Sequence, residues 1–273
     1  MSHPAARYAV CEQVLRQGSF AGDVALAGAA GMRAIGVDAA AVDEIGAGEA
    51  VGILEGEGLR VSSYMTLESI LASDEGTASL DDAARRLDVA ARLGAPGALV
   101  MTGALGARSP ARADAICREW LARAAALAAE RHLRIMLEPL HPLMRRWSFV
   151  HTFRHGLAVV EGIAGAGVVL DLGHVWWEHG LDGLLCEHVG EIVSVQVTNV
   201  DAAALAEMRY ERAPLDAGDV PVASLVGLLE ASGYRGWYEN EMLIRIPRDR
   251  RLDMLRASRE WFEALRFAES GPS

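Results

Sequence analysis

The sequence predicts an α/β fold, a single closed (β/α)8 barrel with eight parallel strands inside and helices outside, spanning residues 1–273. Three observations lead to this prediction. Short apolar runs alternate eight times with longer stretches rich in Ala, Leu, Arg and Glu, which is the pattern of repeated strand–helix units. No Pro- or Ser-rich linker interrupts the alternation. The length of 273 residues is typical of one such barrel.

Eight apolar runs are the candidate strands of this barrel. They read as near-continuous hydrophobic segments, because a strand that is buried on both faces of a parallel sheet has no polar side. The predicted strands are residues 8–10, 34–37, 60–65, 98–102, 133–138, 167–171, 192–198 and 236–242. A doubly wound open sheet usually carries a Gly-rich turn after its first strand, and the segment 11–15 (CEQVL) lacks one.

The segments between these strands are predicted helices. In the segment 111–131 the apolar side chains recur every three or four residues, so one face of that helix is expected to be buried. A last helix follows Pro247 and Asp249, two residues that suit a helix start. The predicted helices are residues 22–31, 42–58, 79–93, 111–131, 152–163, 180–189, 223–232 and 249–267.

The charged residues exclude several kinds of chemistry. A formal net charge of -11 disfavours nucleic-acid binding, because phosphate backbones require clustered cations. All 26 basic residues are arginine, and arginine forms no Schiff base at ordinary pH. Lysine-imine aldolase chemistry and lysine-anchored pyridoxal phosphate are therefore excluded.

The cysteines predict a reduced, cytoplasmic protein. Cys11, Cys117 and Cys186 are odd in number, scattered and without C-x-x-C spacing, so no disulfide framework is expected. Residues 1–10 lack the basic and apolar regions of a signal peptide. The longest apolar stretch, residues 94–107, is too short and too Gly-rich to span a bilayer, so we expect no membrane partner.

Four of the predicted strands end in an acidic or amide side chain. A charge at the end of an apolar strand is unfavourable unless another group pairs with it. Because the carboxyl ends of barrel strands meet at one mouth, we expect these side chains to converge there. Glu239 and Glu241 share one side of the last strand and would repel each other unless a cation or an arginine lies between them. The strand-end residues are Glu138, Asp171, Gln196 and Glu241, with His174 three positions after Asp171.

Each strand-end residue also has a purely structural explanation. Glu138 could pair with Arg145 or Arg146, and Asp171 could cap a helix. Gln196 could satisfy polar groups of the core, and the tryptophans near the strand ends could serve packing alone. Taken together, however, three carboxylates and an amide oxygen form a hard, oxygen-rich set that suits Mn²⁺ or Mg²⁺ better than zinc.

Four segments of the chain resemble the sugar phosphate isomerase/epimerase family, whose members share a xylose-isomerase-like TIM barrel. The segments are EPLHP at 138–142, DLGHVWW at 171–177, RAPLDAGDV at 212–220 and GYRGWYENE at 233–241. The second and third predicted strands, within residues 34–63, are similar to that family as well. The resemblance thus covers nearly the whole chain and implies the (β/α)8 TIM barrel, but it names no substrate.

The resemblance also implies a metal site. Family members typically bind one divalent cation through Glu, Asp, His and Glu at the ends of strands five to eight. The matching residues here are Glu138, Asp171, Gln196 and Glu241, so Gln196 stands where the family usually has His. An amide oxygen is a weaker donor than imidazole, although some members that dehydrate 3-dehydroshikimate are similar in carrying Gln there. Asn199 departs from the family pattern too, in the place of an Asp.

The activity that the resemblance implies is that of an isomerase or epimerase acting on a small sugar, sugar phosphate or related polyol ketone. Metal binding to the carbonyl would acidify the α-proton, and Glu138 and Glu241 would remove and return it through an enediolate. His174 would donate to a substrate oxygen. A lyase that dehydrates a 3-dehydroshikimate- or inosose-type substrate, with His174 as the acid, is the alternative. The expected substrate contacts are His141, Arg212 and Trp176.

Two other classes of protein with the same barrel are alternative interpretations of the sequence. A nuclease of the endonuclease IV type needs several zinc ions and more histidines, and the acidic composition disfavours DNA. A non-catalytic small-molecule-binding barrel would follow if Gln196 marked a site that had lost its metal. We expect a small polyhydroxy substrate as the partner, and the resemblance allows a homodimer.

Overall fold

The computed structural model describes residues 4–15, 17–72, 76–244 and 246–265. Its strands in chain order are Tyr8–Cys11 (β1), Ala34–Asp38 (β2), Arg60–Ser69 (β3), Gly97–Met101 (β4), Arg134–Leu137 (β5), Ala166–Asp171 (β6), Ile192–Val197 (β7), Asn199–Val200 (β8), Arg212–Ala213 (β9) and Tyr238–Asn240 (β10). Strand β10 pairs in parallel with both β7 and β1, which closes an eight-stranded barrel. Strands β8 and β9 form a separate antiparallel pair. The predicted parallel barrel is confirmed.

The helices connect successive strands of the barrel. Four of them begin at a Ser or Thr whose side chain accepts a hydrogen bond from the first turn, at Ser19, Ser79, Ser109 and Thr152. Within the described ranges, no helix is both long and apolar enough to pass through a bilayer. The longer helices are Phe20–Ala29, Ala39–Ile45, Ala47–Glu57, Leu80–Arg92, Pro110–Ala129, Phe153–Val160, Leu181–Glu187, Val222–Ala231 and Arg251–Ala264.

Short helical turns fill several of the loops. The α-helical turns are Glu12–Leu15, Leu172–Val175 and Ala202–Ala206, and the 3₁₀ turns are Pro4–Arg7, Pro142–Met144, Val189–Glu191 and Arg248–Arg250. Leu172–Val175 directly follows the end of β6, and Pro142–Met144 lies in the loop after β5; both strand ends carry predicted site residues. A turn of three or four residues is too short to leave a periodic pattern, which explains why the sequence did not predict them.

Several predicted elements have different boundaries in the structure; the third strand, for example, runs to Ser69 rather than ending at 65. The predicted helix 42–58 is two helices, because Gly46 adopts φ +84°, in which the chain cannot continue as a helix. The last helix begins at Arg251 rather than 249, after a 3₁₀ turn, and residues 266–267 of the prediction lie outside the described residues. The predicted strand 236–242 is only Tyr238–Asn240, because the Asn240 side chain accepts a hydrogen bond from the Met242 amide and turns the chain.

Polar groups occupy the inside of the barrel beneath its mouth. Glu239 on β10 is fully buried, and its Oε2 accepts hydrogen bonds from Ser62 Oγ at 2.5 Å and Ser63 Oγ at 2.8 Å. Gly36 on β2 faces the same carboxyl group, and a Cβ at that position would overlap it. The barrel interior therefore accepts a carboxyl group because two serines bind it and a glycine leaves it room.

Replacing Gly36 tests this close approach. Gly36→Ala should lower the free energy of unfolding by about 1–3 kcal/mol, because the added methyl group overpacks the interior and displaces Glu239. The measurement is urea unfolding. As a matched control, Gly52→Ala lies on an exposed helix position with open space around its Cβ and should gain about 0.5–1 kcal/mol. A Gly36→Ala protein as stable as the native one would contradict the packing described for Glu239.

Candidate metal and substrate site

The strand-end residues meet at one mouth of the barrel. Strand pairing continues one residue past β5 and β10, since the Glu138 amide donates to Val100 O at 3.1 Å and the Glu241 amide to Val197 O at 3.2 Å. Asp171 ends β6 and lies beside Gln196 of β7 in the strand register. The sequence thus brings its four predicted ligand positions to the same end of the barrel, and all four side chains are buried.

Glu138, Asp171 and His174 form the tightest part of this cluster. One ligand atom from each of the three lies within 4.8 Å of the other two. His174 Nε2 is 3.4 Å from Asp171 Oδ2 and 3.9 Å from Glu138 Oε1. Asp171 also caps the turn Leu172–Val175, because its Oδ1 accepts a hydrogen bond from the Gly173 amide at 2.7 Å. The cap fixes the turn that carries His174. Asp171 can therefore cap this turn and at the same time belong to the cluster.

Arg212 lies between two of the carboxylates. Its Nη1 is 3.0 Å from Asp171 Oδ2, and its Nη2 is 2.7 Å from Glu241 Oε2. Its side chain is only 7% exposed. The sequence predicted Arg212 as a contact for the polar end of a substrate, and the structure places it in the centre of the acidic cluster. It offsets the repulsion between Asp171 and Glu241. The sequence predicted an arginine or cation between Glu239 and Glu241 instead, whereas Ser62 and Ser63 bind Glu239 inside the barrel.

The loop that carries Arg212 is fixed by Asn199. The Asn199 Nδ2 donates to Leu215 O at 2.9 Å, and its Oδ1 accepts from the Val220 amide at 2.7 Å and the Val200 amide at 3.0 Å. The β8–β9 pair joins Val200 directly to Arg212. Asn199, which stands where the resembling family usually has Asp, therefore holds the long loop after β7 and with it the position of Arg212.

Burial sets the charge states of the cluster. It raises the pKa of Glu138 to about 8, with the negative Asp171 adding to the shift. Burial also raises the pKa of Glu241 against the opposing charge of Arg212. For Asp171 the effect of burial is outweighed by the charge of Arg212 and by hydrogen bonds from Glu241 and Arg212, and its pKa falls to about 2. Without a cation, Asp171 therefore carries a negative charge and Glu138 holds a proton at neutral pH.

His174 is a neutral imidazole in this environment. Burial lowers its pKa to about 3, although the neighbouring Asp171 opposes the shift. Its Nδ1 is buried and has no hydrogen-bond partner among the described residues. A neutral imidazole has one donor and one acceptor nitrogen, so His174 can serve a ligand in either role but brings no positive charge.

The residues present fit a divalent cation. When all three carboxylates are ionised, Glu138, Asp171 and Glu241 together with Arg212 leave two negative charges, which a divalent cation balances. Gln196 supplies the second argument, because its Oε1 is buried without a hydrogen-bond partner within the described ranges, whereas its Nε2 is 3.4 Å from Glu241 Oε1. An unsatisfied buried acceptor costs about 1–3 kcal/mol, which ligation of a cation would remove.

The structural explanations considered for these residues account for only part of the site. No ion pair joins Glu138 to Arg145 or Arg146 in the described part of the chain, and Arg146 instead lies 4.5 Å above the ring of Trp147. Gln196 does contact a polar group through its nitrogen, but its oxygen satisfies none. Packing inside the core therefore explains neither Glu138 nor the Gln196 carbonyl.

The predicted substrate contacts lie at different depths. His141 is on the loop after β5, and its ring centroid is 5.1 Å from that of Tyr210. Trp176 is partly buried and packs against the hydrophobic core. Tyr210 and Trp177 were missed as site residues by the sequence reasoning, although Tyr210 is two positions from Arg212. Residues two apart on an extended segment face the same side, so that spacing was a usable signal.

Comparisons with known proteins agree with the barrel fold. The family model described as xylose isomerase-like TIM barrel matches residues 24–265. No curated protein sequence matches the chain significantly. Among solved structures, protein SMc04130 from Sinorhizobium meliloti 1021 is similar at 23% identity, with a TM-score of 0.85 and coverage of 97% of this chain and 100% of that one.

Two further similar structures carry informative names. The IolI protein, solved with a bound zinc atom, has 13% identity and a TM-score of 0.81 over 96% of this chain and 100% of its own. D-allulose 3-epimerase from Methylomonas sp. has 17% identity and a TM-score of 0.75 over 94% of this chain and 96% of its own. At such identities the likeness is one of fold. With the family model matching most of its length, the chain belongs to the xylose isomerase-like TIM barrel family.

Proposed function

We propose that this protein is a divalent-metal-dependent isomerase or epimerase acting on a small sugar, sugar phosphate or related polyol ketone. The observation that carries the proposal is the buried pair Glu138 and Glu241, two carboxyl groups at the barrel mouth; burial raises the pKa of Glu138 to about 8 and also raises the pKa of Glu241. A general base works best when its pKa lies near the working pH. The similarity to a D-allulose 3-epimerase and to a zinc-bound IolI protein supports the same class.

Glu138, Asp171, Gln196 and Glu241 would hold the cation. A bound divalent cation supplies Lewis acidity, which makes the proton next to a carbonyl group acidic and stabilises the enediolate. The oxygen-rich donor set favours Mn²⁺ or Mg²⁺, and the zinc in the IolI structure makes zinc a third candidate.

Proton transfer would be carried out by Glu138 and Glu241. The two residues extend from β5 and β10, which are separated in the barrel by β6 and β7, so they approach a ligand at the mouth from different sides. One carboxylate removes the α-proton and the other returns it. Return on the opposite face gives epimerisation, whereas return on the neighbouring carbon gives an aldose–ketose exchange.

The remaining residues would bind and orient the substrate. Arg212 presents a buried positive charge to a polar substrate end, and His174 provides a neutral hydrogen-bonding nitrogen to a substrate oxygen. His141 and Trp176 are proposed to contact the rest of the molecule. Together these groups would exclude water from the enediolate and hold the reacting carbon between the two glutamates.

The neutral state of His174 favours isomerisation over dehydration. Loss of a β-hydroxyl group with His174 as the proton donor is disfavoured, because a histidine whose pKa is about 3 carries no extra proton at neutral pH. A nuclease is disfavoured by the net charge of -11. A non-catalytic barrel would not require an unsatisfied Gln196 carbonyl beside three carboxylates.

Proton exchange on candidate substrates tests the proposal. Glu241→Gln should lower the rate of α-proton exchange with deuterated water by about 10²- to 10⁴-fold, because it removes a base and a metal ligand together. His174→Ala should lower it less, since His174 polarises and does not abstract. The measurement is proton NMR of keto-sugars and inososes with Mn²⁺. Glu187→Gln, an exposed helical residue, is the control and should exchange at the native rate. Native-rate exchange in Glu241→Gln would end this mechanism.

Stability of the metal-free protein should depend on pH in a defined direction. The folded state raises the pKa of Glu138 to about 8 from its ordinary 4.5, so the folded protein keeps a proton that the unfolded chain loses. The free energy of unfolding should therefore fall as pH rises from about 5 to 8, by up to about 1.4 kcal/mol per pH unit for this group. Urea unfolding in EDTA measures it.

The variant Glu138→Gln isolates this contribution. It cannot ionise, so its stability should fall less steeply with pH than that of the native protein, while Glu187→Gln should keep the native slope. Addition of Mn²⁺ should raise native stability most at pH 8, where the cation no longer competes with the proton. A Glu138→Gln curve parallel to the native one would show that Glu138 does not hold the proton.

A further inference from the structure

Four rings form a continuous line from the acidic cluster to the rim of the barrel mouth. His174 and Tyr210 have ring centroids 5.1 Å apart, and Tyr210 and His141 are also 5.1 Å apart. His141 and Trp177 meet edge to face at 5.9 Å. These rings come from the segments that follow β5, β6 and β7. We call the set His174, Tyr210, His141 and Trp177 the aromatic wall.

Trp177 forms the outer end of the wall. Its side chain is held in place by two contacts although it is exposed to solvent. Its Nε1 donates to the His174 carbonyl at 2.8 Å, and its ring makes a T-shaped contact with His141. Its side chain is nevertheless 41% exposed. Trp147, another exposed tryptophan in the described part of the chain, has Arg146 stacked on its ring. A large apolar ring that is held in place and open to solvent is preorganised for a ligand.

The wall changes from polar to apolar towards the rim. At its inner end Arg212 lies 5.1 Å from the Tyr210 ring centroid, beside the carboxylates. In its middle the His141 Nδ1 accepts from the Leu143 amide, which places the proton of the neutral ring on Nε2 as a donor. Burial together with the charge of His151 lowers the pKa of His141, which keeps that ring uncharged. Only ring surface remains at Trp177.

We propose that the aromatic wall binds a second ring of the substrate, and that the substrate is a glycoside whose reacting sugar carries a ketone, rather than a free monosaccharide. The reacting sugar would lie at the polar inner end, and a glycosidically linked ring would lie against His141 and Trp177. A ring of the ligand can bury apolar surface against an exposed aromatic side chain, and Trp177, 41% exposed beside His141, offers such a surface. This inference rests on the proposed function for the inner end and extends it outwards.

Two glucosides that differ in one ring test the inference. The probes are methyl β-D-glucopyranoside and phenyl β-D-glucopyranoside, titrated into the Mn²⁺-containing protein and followed by ligand-observed NMR. The phenyl glucoside should bind about 3- to 10-fold more tightly, as expected for one added ring contact. Trp177→Ala should abolish the preference, and Trp177→Phe should retain part of it. Trp147→Ala is the matched control and should keep the full preference.

Each other outcome overturns the inference. Equal affinities for the two probes, no binding of either probe, or a preference that survives Trp177→Ala would each show that the wall is not a ring subsite. Circular dichroism establishes that the variants are folded. A Trp177-dependent preference together with native α-proton exchange in Glu241→Gln would leave the subsite intact and refute the proposed reaction. Loss of α-proton exchange in Glu241→Gln together with no Trp177-dependent preference would refute the subsite alone.

Discussion

The ion pairs of Arg212 with Asp171 and Glu241 are the interaction on which the candidate site depends. Asp171 and Glu241 end β6 and extend β10, the two strands that flank β7, so the guanidinium group spans the width of a strand. Removing one member of a buried ion pair leaves a charge without compensation and costs about 3–5 kcal/mol. The loop after β7 is therefore part of the site, and Asn199 stabilises the carboxylates indirectly by holding that loop.

The neutral side chain of Gln196 suits the charge balance of the cluster. A neutral amide adds no charge, so the three carboxylates and Arg212 keep the two negative charges that match a divalent cation. In the absence of a cation, a proton on Glu138 takes part of its place, because burial raises the pKa of that group to about 8. Proton and metal therefore compete for the same oxygens, which links the stability of the barrel mouth to the chemistry proposed for it.

Much of the barrel and the strand-end residues could be predicted from the sequence, because both follow from the alternation of apolar strands and amphipathic helices. The positions of Glu138 and Asp171 are determined by the ends of β5 and β6 and do not depend on the conformation of the loops. Arg212 and Trp177 could not be placed in the same way. The position of Arg212 depends on three hydrogen bonds of Asn199, and that of Trp177 on one bond to a backbone carbonyl. Such long-range contacts leave no periodic signal in the sequence.

The central claim is that the oxygen atoms of Glu138, Asp171, Gln196 and Glu241 bind one divalent cation. The most direct test is anomalous diffraction at the manganese edge from crystals grown with Mn²⁺. We predict a single peak within about 2.0–2.6 Å of one oxygen from each of the four side chains, the distance range of hard oxygen ligands. A peak bound by His174 in place of Gln196, or no peak while Arg212 still joins Asp171 to Glu241, would contradict the account.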